Sequence, residues 1–164
     1  MKRTPRPLFY AVAGGVVALD QITKSAVLAV FRPDETLPRA IRVIPGLFDL
    51  VYVRNTGIAF GLFAGNNVLW LAVAAFFIAF AVMVGRRLDW APLGTNLVAG
   101  LIVAGALGNL VDRALRGSVV DFLDFYWGVH HWPAFNVADS AITVAVAVLV
   151  FRSFFPRPAA SVGN

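Results

Sequence analysis

The chain has 164 residues, room for one compact unit at roughly 150 residues per domain. Apolar residues supply 59% of it and charged residues only 14%, against about 25% in soluble domains, and mean hydropathy is +0.76, which excludes a soluble protein. The net charge of +5 comes from dispersed basic residues with no basic helix, which points to lipid headgroups and not nucleic acid, while the lack of cysteine excludes disulfides, thiolate metal sites and a cysteine nucleophile.

A membrane helix needs about 20 mainly apolar residues to cover roughly 30 Å of hydrocarbon. Four segments meet or approach that length: residues 8–31, 67–84, 90–111 and 136–151. The first is interrupted only by Asp20 and Lys24. A cleavable leader has an apolar core of about 7 to 15 residues and seldom holds such a pair, so this span is read as permanent. The second lies within 31 consecutive uncharged residues between Arg54 and Arg86, and the third within 22, entered through Pro92. The fold class is therefore an all-α membrane protein with four transmembrane helices, a single integral domain over residues 1–164.

The stretches 32–66 and 112–135 are the long connections. In the first, Ile41-Arg-Val-Ile44 and Leu47-Phe-Asp-Leu-Val-Tyr-Val-Arg54 flank Pro45-Gly46, the pattern of short strands joined by a turn, so a small β-like element is expected there. Gly57, Gly61 and Gly65 repeat every fourth residue and, in a loop, supply turns. Lys and Arg outside the spans divide seven to six between the two sides. The first helix then decides the orientation, with both termini cytoplasmic and the long connections extracytoplasmic.

Charge inside a membrane costs about 2.5 to 3.5 kcal/mol per residue on insertion scales and marks function by default. At 1.5 Å per residue, Asp20 and Asp139 lie roughly 18 and 20 Å above the cytoplasmic end, near one level. Asp20 and Lys24 share a helix face and so can pair, with Lys24 snorkelling outward, while a second reading of Asp20 is that it holds loop backbone at the site. Asn136 and Asp139 have the spacing of a helix N-cap and its N3 acid. The fourth helix, about 24 Å long, starts below the surface, where its first turn needs protein or water around it. Between the third and fourth helices, Asp121 and Asp124 are both candidates to meet Asp139; the residues alone do not choose. Asp112 is read as tying down its loop through an arginine. Two carboxylates in one site cannot both ionise easily, which leaves one acid and one base. Buried charge also fits a proton-coupled transporter, and a non-catalytic scaffold stands as a third reading. Adjacent His130 and His131 are poor geometry for a shared metal, and no serine has a base in register. Trp127 and Trp132 read as interfacial belt residues.

The combination Asp20-Gln-Ile-Thr-Lys24, Asn55-Thr-Gly-Ile-Ala-Phe60, Gly105-Ala-Leu-Gly-Asn-Leu-Val-Asp-Arg113, Val120-Asp-Phe122 and Phe135-Asn-Val-Ala-Asp-Ser140 resembles the lipoprotein signal peptidases, or signal peptidase II. The resemblance covers residues 20 to 140, in order. It implies an aspartyl endopeptidase of the bacterial cytoplasmic (inner) membrane that removes signal peptides from prolipoproteins, cleaving before a diacylglyceryl cysteine. It places the catalytic pair on Asp121 and Asp139, choosing Asp121 over Asp124. Asn55, Asn109, Arg113 and Asn136 become the polar shell, with Asp20, Lys24 and Gly57 alongside. No metal or organic cofactor is implied, and the partners are the prolipoprotein substrate carrying a diacylglyceryl cysteine and membrane lipid, with the enzyme expected as a monomer.

Overall fold

A computed structural model describes residues 5–31, 40–57 and 92–154, with isolated positions at 72, 73, 76, 79, 83, 86, 87 and 90. Among the described residues three helices are long and apolar enough to cross a membrane: α1 (Pro7–Phe31, 25 residues), α2 (Leu93–Arg116, 24 residues) and α3 (Val137–Phe154, 18 residues). The expected span 67–84 lies outside the described residues apart from helical positions Ala72, Val73, Phe76, Ala79 and Met83. α2 packs along both α1 and α3, which touch each other less. Small residues permit that approach: a Cβ on Gly105 would sit 2.5 Å from the Ala138 carbonyl oxygen, and one on Gly100 3.0 Å from Val12. Pro7 opens α1 at a position where a missing N–H costs nothing.

α2 runs five residues past its expected end and takes Asp112, Arg113 and Arg116 out of the predicted loop. The first charge marks the expected edge of the membrane span, but Asp112 and Arg116, four apart, pair along the helix, so it continues until Gly117, whose left-handed φ of 71° ends it. α3 likewise reaches Phe154 and not residue 151.

The β-like element is larger than expected. Strands β1 (Ala40–Ile44), β2 (Phe48–Asn55), β3 (Val119–Trp127) and β4 (His130–His131) form one antiparallel sheet in the order β1-β2-β3-β4. The molecule is therefore helices plus a sheet, not all-α. β1 and β2 turn at Pro45-Gly46, where Gly46 takes a φ of 81°. β3 lies within the stretch 112–135, which the sequence presents as a connection, and pairing with β2 makes a strand of Val119–Trp127. Val120 and Phe122 pack on Val27 and Phe31 at the end of α1, seating the sheet against the helices. Strand alternation turns Asp121, between them, the other way.

Candidate active site

The site forms where the first turn of α3, the last turns of α2, the middle of α1 and the β2–β3 ladder converge. Asn136 precedes α3 and caps it reciprocally with Asp139: its Oδ1 accepts from the Asp139 backbone N–H at 3.0 Å, and its own N–H donates to Asp139 Oδ2 at 3.2 Å. The capping pattern is thus real, and it leaves the Asn136 amide free to reach elsewhere. That Nδ2 donates to Asp121 Oδ1 at 2.7 Å. Asn55 sits opposite Val119 in the ladder and so lies diagonally across from Asp121, whose Oδ2 accepts from Asn55 Nδ2 at 2.8 Å. Asp139 Oδ1 accepts from Asn109 Nδ2 at 2.7 Å. Each carboxylate is therefore held by two N–H donors, and Asn136 touches both.

Asp121 is 2% exposed. Its carboxyl is pushed up to about 7 from the usual 3.8, first by burial and second by the charge of Asp139, against the opposing pull of the Asn55 and Asn136 amides and of Lys24. Asp124, three residues along β3, lies on the other face and pairs with His131 Nδ1 at 2.9 Å. The ambiguity between the two acids is resolved by strand parity: only Asp121 shares a site with Asp139. Trp127 and Trp132 are largely exposed, as interfacial residues would be.

Arg113, one helical turn beyond Asn109, donates from Nη2 to the Gly57 carbonyl at 2.9 Å, while the Gly57 N–H donates to Asn55 Oδ1 at 3.0 Å. Gly57 thus couples Arg113 to the asparagine that holds Asp121. Ile58, Ala59 and Phe60, the remainder of that motif, lie outside the described residues.

Asp20 and Lys24 pair as expected at 2.9 Å, but Lys24 does not snorkel: it is fully buried, with further bonds to Asp112 Oδ2 at 3.0 Å and Asn109 Oδ1 at 3.1 Å. Three acceptors satisfy its three protons, so nothing draws the ammonium to the interface. Asp20 and Asp139 are at one level, as helical rise predicts, since Asp20 Oδ1 accepts the Ala138 N–H at 2.9 Å. Asp112 does tie down the chain after α2, by accepting the Val120 N–H at 3.0 Å, and its arginine is Arg116. Sequence reasoning left Gln21, Asp112 and Arg116 out of the site. Gln21 Nε2 reaches both Asp20 Oδ2 at 3.1 Å and Asp112 Oδ1 at 3.2 Å, and Arg116 donates to Gln21 and Asp112. The available signal was helical spacing, since Gly108, Asn109, Asp112 and Arg116 fall on one face of α2. Among the described residues no group of three or more His, Cys, Asp or Glu is arranged to ligate a metal ion.

Two solved structures described as bacterial membrane enzymes, determined in meso, superpose with TM-scores of 0.79 and 0.78 at 28% identity, covering 98% and 96% of this chain and 98% and 99% of theirs. The fold is that of a membrane enzyme. The profile of the family described as signal peptidase (SPase) II matches residues 12–155. Lipoprotein signal peptidases of Syntrophotalea carbinolica and Syntrophus aciditrophicus are 43% and 44% identical, covering 94% and 90% of this chain and 95% and 92% of the relatives. The chain belongs to the signal peptidase II family: it is a protease, and a bacterial membrane protein.

Proposed function

We propose that this chain is a lipoprotein signal peptidase of the aspartyl type, cleaving prolipoproteins just before a diacylglyceryl cysteine with Asp121 and Asp139 as the catalytic pair. The observation that carries the reading is the double grip on each carboxylate, with Asn136 bridging both. Asp139, at N3 of α3, has the positive end of a helix dipole favouring its charge by about 0.3 to 1 kcal/mol. Asp121 carries the proton. In the reaction the ionised Asp139 takes a proton from a water as that water attacks the scissile carbonyl carbon, and the Asp121 O–H hydrogen-bonds the carbonyl oxygen as it becomes an oxyanion. Collapse of the tetrahedral species breaks the C–N bond, with a proton passing to the leaving amine and the dyad again holding one. Asn55, Asn109 and Asn136 keep the carboxylates in register, and Arg113 holds the Gly57 backbone beside Asn55.

In this reading residues 67–84 supply a fourth span to one integral domain, and both termini are cytoplasmic. The substrate's signal helix enters from the bilayer with its acyl chains still in lipid, the connection 32–66 clamps it from outside, and the enzyme works as a monomer in the cytoplasmic membrane. The cysteine-free chain permits a topology check: Val129→Cys should react with an impermeant thiol reagent on intact cells, and Arg87→Cys should not. The test of function is cleavage of a diacylglyceryl prolipoprotein by the purified protein in lipid, read by mass spectrometry. A product beginning at the lipidated cysteine, absent with Asp139→Asn, is the expected result; turnover by that variant, or cleavage elsewhere, contradicts the reading.

A further inference from the structure

Immediately before each dyad aspartate stands a residue whose backbone N–H is gripped by a second, buried acid. Ala138 N–H donates to Asp20 Oδ1 at 2.9 Å, and Val120 N–H donates to Asp112 Oδ2 at 3.0 Å. Lys24 Nζ bridges those two acids at 2.9 and 3.0 Å, and all three side chains are fully buried. Its remaining bond, to Asn109 Oδ1, leaves the Asn109 amide nitrogen to donate to Asp139. The helices make room for the arrangement, because a Cβ on Gly108 would lie 2.7 Å from Asp20 Oδ2. Replacing a buried ion cluster by apolar side chains is often neutral or stabilising, so fold stability alone gives no reason for it.

Charge supplies a second reason. Among the described residues, the charged groups of the cluster are Asp20 and Lys24 from α1, Asp112 and Arg113 from α2, Asp121 from β3 and Asp139 from α3, together with Arg116, a quarter exposed, which joins the cluster through Asp112. Three cations face four carboxylates, and the set is neutral when the dyad holds a single proton. We propose that Lys24, with Asp20 and Asp112, is a positioning clamp that orients both dyad carboxylates through the backbone ahead of each and fixes their proton count at one. The inference rests on the dyad reading given under the proposed function.

The test is the pH dependence of kcat for a diacylglyceryl peptide in lipid, for Lys24→Met, Asp20→Asn, the double variant and Gly108→Ala. Lys24→Met removes a cation, so both limbs of the bell should move up by about one pH unit, with kcat lowered about tenfold and KM little changed. Asp20→Asn removes an anion but keeps an acceptor for the Ala138 N–H, so its limbs should move down. The double variant restores the count and should return the limbs to their native positions. Gly108→Ala keeps every charge while displacing the Asp20 carboxylate, so kcat should fall with the limbs unmoved. Limbs that stay in place in Asp20→Asn overturn the clamp even if Lys24→Met fails to fold, as does a double variant that behaves like Lys24→Met. Where Asp121→Asn and Asp139→Asn are inactive, that result condemns the clamp alone; active dyad variants overturn both readings.

Discussion

Strand β3 carries two aspartates three residues apart, and they occupy different chemical worlds. Asp121 is buried, faces another acid and is held by neutral amides. Asp124 is 13% exposed and pairs with a histidine on the opposite face. Amides hold a carboxylate in place and favour its ionised form less than a full countercharge would, which suits the proposed role of gaining and losing a proton. A histidine beside water offers only a modest surface contact. The surroundings of the two acids are set by strand parity and by the kind of donor, not by the residue type.

The sharpest way to break this contrast is to remove each charge in turn. Asp121→Asn should lower kcat about a thousandfold or more with the fold retained, while Asp124→Asn should stay within about twofold of native activity in the same cleavage assay. Equal losses at the two positions would dissolve the distinction. A smaller effect is expected at the amide that links the acids. Asn136→Ser preserves a good N-cap for α3 but deletes the donor to Asp121, so kcat should drop by about ten- to a hundredfold with little change in melting temperature.

The smallest effect concerns stability and has a definite sign. Between pH 3.8 and about 7 the folded protein holds a proton at Asp121 that the unfolded chain has released. Stability therefore falls as pH rises across that window, and the loss is complete above it. Asp121→Asn cannot ionise, so at pH 8 it should melt higher than the native protein by about 5 °C, with the gap closing by pH 4. In the proposed mechanism the same proton should make native activity decline as pH rises through about 7, which a pH profile of the cleavage assay checks.

Much of this was legible in the sequence, in uneven ways. The N-cap at Asn136 and the Pro45-Gly46 turn follow from neighbours within a helical turn or a hairpin, and the depth match of Asp20 and Asp139 from helical rise counted along each span. Asp121 was separable from Asp124 only by family resemblance, since parity needs the strand to be known and β3 owes much of its length to pairing with β2. The end of α2 was misplaced for a related reason. Asp112 and Arg116 look like solvent-seeking charges until Lys24 and Gln21, roughly ninety residues earlier in the chain, are seen to face them. Lys24 was expected to snorkel on the same ground: a sequence shows one partner four residues away and hides the two across the helix interface.

The central claim, a buried aspartate pair sharing one proton that resides on Asp121, is most directly tested by infrared difference spectroscopy of the carboxyl stretch near neutral pH in lipid. A protonated-carboxyl band in the native protein should persist in Asp124→Asn and vanish in Asp121→Asn. Loss of the band in Asp139→Asn with its retention in Asp121→Asn would contradict the account.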